Sequence, residues 1–236
     1  MAIREITVSN MSQFLDAVKE IGKAWGGILP WWRGHAQADW KLTPSLHHRG
    51  RAKWETHMTV EFRGLAGSRY EKCPKEDDHH EWLCLMRHYG LWVRLLDWSQ
   101  SSLVALYFAV KDAGTETEHS AAETKYAAVF ALDPVGLNVN SDPEVKAIPT
   151  AASKGLRSLF KQAFNPPTPR PDERTIAFWP NQRDPRHLAQ QSVYTIHGKG
   201  NPIEDDPKAG AFLQKILIPR HEKFQFRKDL YGLGIH

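Results

Sequence analysis

Charged and hydrogen-bonding side chains are set into apolar runs at three separated places in this chain, and burying them there is costly unless they are paired. The densest place is Met86 to Val110, MRHYGLWVRLLDWSQSSLVALYFAV, where Arg87, His88 and Tyr89 precede a glycine and where Arg94 and Asp97 interrupt the apolar stretch that follows. His88 is suited to proton transfer or neutral hydrogen bonding, and a stretch that holds Arg, His, Tyr and Asp against a core is a candidate site. The second place is Ile28 to Gly34, ILPWWRG, where Arg33 follows two tryptophans and precedes Gly34. A guanidinium beside stacking surfaces suits phosphate or carboxylate, and glycine permits close approach of backbone to a ligand. The third is Gln190-Gln191, just before an apolar run. Convergence of Arg33, His88, Tyr89, Arg94, Asp97 and Gln190 on one cleft is the expectation. The competing expectation makes Arg94 and Asp97 a structural ion pair at a helix start, and Arg33 the partner of a core carboxylate.

His80, Cys84 and His88 recur every four residues, but one helix rarely closes a metal site and no second cluster has matching spacing, so no metal is expected.

These residues need elements to hold them. The pattern predicts a strand over 3–8, then a helix capped by Ser9, Asn10 or Ser12 with Phe14, Leu15, Val18 and Ile21 inward. A buried strand over 28–34 follows. A helix from Ala52 to Tyr70 is expected to bury Trp54, Met58, Phe62 and Leu65. The next helix runs to about His88, and Leu103 to Val110 is a buried helix. Strands are expected over 126–133, 175–179, 193–197 and 213–219, with helices over 153–164 and 222–233. Residues 134–151 show little pattern, and 111–125, 165–173 and the stretch to His187 read as loops. Strands and helices interleave irregularly, which predicts a single α+β domain with mixed or antiparallel sheets and packed helices.

With 236 residues the chain is long enough for a sizeable core. Its net charge of +4 suits an anionic partner, but the basic residues are spread along the sequence. Two cysteines make no disulfide framework, and no apolar run approaches bilayer length, so a cytoplasmic protein away from membranes is expected.

Several of these stretches together resemble the FRG domain, named for an aromatic-Arg-Gly motif. That motif is Trp32-Arg33-Gly34 here, and Lys41-Leu42-Thr43-Pro44-Ser45-Leu46 resembles a following element of the family. His88-Tyr89-Gly90-Leu91, Arg94-Leu95-Leu96-Asp97-Trp98 and Ala105-Leu106-Tyr107-Phe108-Ala109 resemble its signature block. Gln190-Gln191-Ser192-Val193-Tyr194 and Lys215 to Pro219 match its C-terminal elements. The core motifs thus span 28–110 and the C-terminal elements 187–236 of one domain covering 1–236. The sequence departs from the family pattern at Arg87, Trp92 and Val93, and it lacks a Phe-Pro-Asp-Leu segment after the final helix.

The resemblance implies an ADP-ribosyltransferase-like fold in a bacterial or phage protein, a conflict or toxin effector. NAD would be the co-substrate, with a protein or nucleic acid as acceptor. Arg33, Gly34, Ser45, Tyr89 and Arg94 would then hold the nucleotide, while His88, Asp97 and Gln190 would serve catalysis. A nucleic-acid-binding or nucleic-acid-modifying module without NAD chemistry is the alternative. A non-catalytic interaction module or inhibitor is a third.

Overall fold

Why the chain forms one sheet is visible in the alternation of its strands. The computed structural model describes residues 1–70, 72–112, 126–165, 169–181 and 191–236. Seven strands, β1 (Arg4–Thr7), β2 (Trp31–His35), β3 (Leu95–Ser99), β4 (Ala127–Leu132), β5 (Thr175–Phe178), β6 (Ser192–His197) and β7 (Leu213–Ile218), lie in the order β1-β7-β4-β2-β3-β6-β5. Among these seven strands β1 and β7 pair in parallel and the other five junctions are antiparallel. The sheet is therefore mixed, and with its helices it makes a single α+β domain.

Successive side chains leave a strand on opposite faces, and both faces here are apolar. In β4, Ala127, Val129 and Ala131 join one cluster while Ala128, Phe130 and Leu132 join another. On the front face, α1 (Met11–Ala24), α4 (Ser102–Val110) and α7 (Lys223–Gly232) cover β7, β4 and β2. Beside them α2 (Glu55–Ala66), α3 (His79–His88) and α6 (Arg157–Lys161) cover β3, β6 and β5. The back face packs Trp31, Leu96, Trp98 and Val193 against Phe212 and against Leu137 of α5 (Pro134–Ser141). The strands over 28–34, 126–133 and 213–219 thus share a core with the 103–110 helix, as the apolar runs predicted.

Local signals explain several boundaries. Asn10 caps α1 by accepting from the Gln13 amide at 3.0 Å, and Ser101 caps α4 by accepting from the Val104 amide. The stretch after Pro134, unpatterned by periodicity, starts with α5. Asp133 Oδ1 accepts from the Val135 and Gly136 amides at 2.9 Å each, and Pro134 occupies the first turn.

Two expectations fail in instructive ways. Arg94 and Asp97 stand at and in a strand, not at a helix start, and they do not pair with each other. In the second case, a 3-10 segment, Ser45–Trp54, precedes α2, so the helix begins later than the pattern implied. Its buried residues are Glu55, Thr59 and Ala66; of the expected stripe Phe62 packs half-buried against the core and Met58 is half-buried, whereas Trp54 and Leu65 are exposed. The register is set by charge: Arg94 draws Glu55 inward, donating from Nε to Oε1 at 2.7 Å and from Nη2 to Oε2. A buried ion pair that would be costly to break outweighs the apolar stripe in choosing the inner face.

Candidate functional site

β2 pairs with β4 at five successive positions but with β3 only at Trp32↔Ser99. The two strands part beyond that point, and a cleft of about 660 Å³ opens over the gap, within the usual size range of small-ligand sites. Its walls are α4 (Val104, Ala105, Phe108) and the end of α3 (Arg87, His88), its floor includes Leu95, Asp97, Ser99 and Tyr194, and Trp40, Ser45 and His48 line it from the connection after β2.

Arg33 spans the opening. Its Nη1 donates to the Asp97 carbonyl at 2.6 Å, where a sheet partner would otherwise sit, and its Nε donates to His35 Nε2 at 2.9 Å. The two residues are i and i+2 on one strand and so share a face. His35 is buried, and burial together with the Arg33 charge lowers its pKa to about 3. The imidazole is therefore neutral, with Nε2 accepting from Arg33 and Nδ1 left to donate to the Trp40 carbonyl at 3.2 Å. Burial also lowers the Arg33 pKa from its ordinary value, against the pull of Asp97, and the group stays charged. Among the described residues Nη2 of Arg33 has no partner, and the side chain keeps 23% of its surface.

From the other wall Arg87 grips Asp97 in bidentate fashion, Nε to Oδ2 at 2.9 Å and Nη2 to Oδ2 at 2.5 Å, with Nε to Oδ1 at 3.2 Å. Burial works against the Arg87 charge, but the attraction and hydrogen bonds of Asp97 outweigh it and raise the pKa. Arg33 Nη1 lies 3.9 Å from the same carboxylate. Two guanidiniums around one carboxylate leave a surplus positive charge, which favours an anionic ligand.

The sequence-derived candidates divide accordingly. Arg33, Gly34, Ser45, His88 and Asp97 line the cleft. Gly34 does so for a packing reason: a Cβ there would lie 1.8 Å from the Ala105 carbonyl oxygen and 2.7 Å from the Ala109 amide nitrogen. Its missing side chain admits α4, not a ligand. Tyr89 turns away, 55% exposed and ringed by Phe62 and Tyr70 at 5.9 and 6.4 Å. Arg94 leaves β3 from the opposite face to Asp97 and is buried against Glu55 and the His197 carbonyl. Gln190 lies outside the described residues. Sequence reasoning missed His35, Arg87 and Trp40 as site residues. The Arg33-x-His35 spacing carried a usable signal, whereas the Arg87–Asp97 contact crosses the Gly90 turn and follows no period.

Burial raises the Cys84 thiol pKa to about 12, so it is protonated. Ligand atoms of Asp78, His80 and Glu81 lie within 4.8 Å of one another. Both His80 nitrogens are already engaged, Nδ1 with Asp78 at 2.6 Å and Nε2 with Asn181 at 2.8 Å. No helix among the described residues is long and apolar enough to cross a membrane.

A family model for the FRG domain matches residues 30–118. Over those residues the chain is similar to the FRG domain. The matched FRG segment carries β2, α3, β3 and α4, and with them Arg33, Arg87 and Asp97; Ser192 and Tyr194 of the cleft come from outside it. No curated protein and no solved structure matches the chain.

Proposed function

We propose that the FRG cleft binds a nucleotide through its phosphates, and that the nucleotide is NAD, turned over by ADP-ribosyl transfer to a protein or nucleic-acid acceptor. The observation that carries the reading is Arg33: a permanent cation held at Nε and Nη1, lining the cleft, with Nη2 unpartnered among the described residues. Preorganised guanidinium groups bind phosphate by charge-assisted hydrogen bonds and lose little entropy in doing so. In the transfer step the bond between nicotinamide and ribose breaks, and positive charge develops on the sugar. Asp97 is the carboxylate on the cleft floor that would stabilise it. Arg87 neutralises Asp97 at rest, so the phosphates of the incoming nucleotide compete with Asp97 for Arg87 and release the carboxylate as they bind. His88, on the cleft wall, is the group placed to accept a proton from the acceptor.

The test compares NAD and ADP-ribose binding by calorimetry in the wild type, Arg33→Ala and Arg33→Lys, with melting temperatures for each. Losing a charge-assisted contact should weaken binding by about 1.5–3 kcal/mol in Arg33→Ala, with partial recovery in Arg33→Lys. A lower melting temperature is expected as well, because Arg33 bridges β2 to β3. Unchanged affinity in a folded Arg33→Ala protein refutes the reading. Asp97→Asn should retain binding and lose nicotinamide release; binding without release in the wild type would leave a nucleotide-binding module that does no chemistry.

A further inference from the structure

The 3-10 segment Ser45–Trp54 has a buried underside and a basic, aromatic upper side. Beneath it, Leu46 is fully buried, His47 packs against Gly200, and the next residue, Glu55, is locked to Arg94. Above it, His48, Lys53 and Trp54 are exposed. From Trp40 through Trp54 the sequence contains lysines, arginines and histidines but no acidic residue. Lys41 is paired with Asp205 at 2.8 Å. Arg51 and Lys53 have no carboxylate partner among the described residues and are seated on indole rings instead. The Arg51 guanidinium lies 3.9 Å from the centre of the Trp92 ring, and the Lys53 ammonium lies 5.4 Å from that of Trp54. The two tryptophans keep 38% and 52% of their surface. Each exposed indole is thus joined to a cation that has no carboxylate partner among the described residues.

We propose that this strap is a docking platform for single-stranded nucleic acid. Phosphates would be held by Arg51 and Lys53, and unstacked bases would lie on Trp54 and Trp92. A polyanion with aromatic faces matches both features at once, and base–indole stacking needs bases released from a duplex. The buried anchors fix the strap before a ligand arrives, so little ordering cost remains at binding. Ser45 and His48 belong to the same strap and also line the cleft, so a strand lying along it runs toward the cleft mouth. The platform needs no NAD chemistry and stands apart from the nucleotide reading of the cleft.

The experiment measures fluorescence anisotropy of fluorescein-labelled 12-mer RNA and DNA with the full chain, without NAD, across a salt titration. Single strands should bind, and a duplex of the same length should compete poorly. The logarithm of affinity should fall with that of salt by about 0.7 for each phosphate contact, and Lys53→Gln should flatten the slope by about that amount. Trp54→Ala and Trp92→Ala should each weaken binding by roughly 5- to 150-fold through lost stacking, with unchanged melting temperatures. No binding at low salt, or binding indifferent to all three substitutions, overturns the proposal. So does tighter binding to phosphatidylserine vesicles than to oligonucleotide, which would assign the strap to a membrane surface. Oligonucleotide binding without NAD binding refutes the reading of the cleft alone; the reverse refutes this one alone.

Discussion

Gly34→Ala separates the two explanations of the aromatic-Arg-Gly motif, close approach of a ligand and close approach of a helix. The added Cβ would meet the Ala105 carbonyl at 1.8 Å, where ordinary contact begins near 3.4 Å, so α4 and β2 must separate by the difference, 1.6 Å. α4 has nine residues and is therefore about 13.5 Å long and about 10 Å wide. Lifting it off the sheet by that distance leaves roughly 200 Å³ unfilled, worth about 5 kcal/mol at about 24 cal/mol per Å³. A tilt about one end halves the volume, so a loss of about 2.5–5 kcal/mol is expected. For a chain of this size that corresponds to a fall in melting temperature of about 5–20 °C. Urea denaturation followed by tryptophan fluorescence, with a thermal scan alongside, measures it. A Gly34→Ala protein with wild-type stability and impaired ligand binding would refute the packing argument and return the glycine to the ligand.

Arg94→Met should destabilise the fold by about 3–5 kcal/mol because the Glu55 carboxylate is left buried and alone, while Arg94→Met with Glu55→Leu should recover most of the loss; urea midpoints of the single and double variants decide it. Burial is the leading cause that lowers His35 and His197 from 6.5 to about 3. Between those values the unfolded chain binds more protons than the folded one, so stability is full above pH 6.5 and declines as pH falls toward 3. The decline should approach about 1.4 kcal/mol per pH unit for each histidine, and His35→Gln should make the dependence shallower when urea midpoints are measured across that range.

Much of the sheet was legible because a strand buried on both faces is an uninterrupted apolar run, as in Ala127–Leu132, and such runs survive any tertiary context. The face of α2 was not legible. Its apolar stripe and its buried face differ because the partner of Glu55 lies 39 residues away, just before β3, and an ion pair that distant leaves no periodic trace. The same reason hid the pairing of Asp97. Its charge among apolar residues marked it as a site candidate, but nothing local reveals that Arg87 meets it across a glycine turn with φ of 78°. Arg94 and Asp97 were grouped by proximity in sequence, yet three residues apart on an extended chain means opposite faces. One of them lines the cleft, and the other anchors the strap beneath Trp54.

The order of strands also dictates when the cleft can exist during synthesis. Of the six junctions in the sheet, four (β1–β7, β7–β4, β3–β6 and β6–β5) require residues from 192 onward. A nascent chain that has emerged only as far as β5 holds β2 against β4 and, at one position, against β3; β1 and the outer edge of β4 still lack their partner. Such a chain exposes unpaired apolar strand edges that other chains can join. Asp97 has no Tyr194 beside it until β6 arrives, and α1, which packs on β7, lacks that support until β7 joins β1 and β4. The cleft is therefore incomplete in the growing chain until β6 has joined β3 and brought Ser192 and Tyr194 to it.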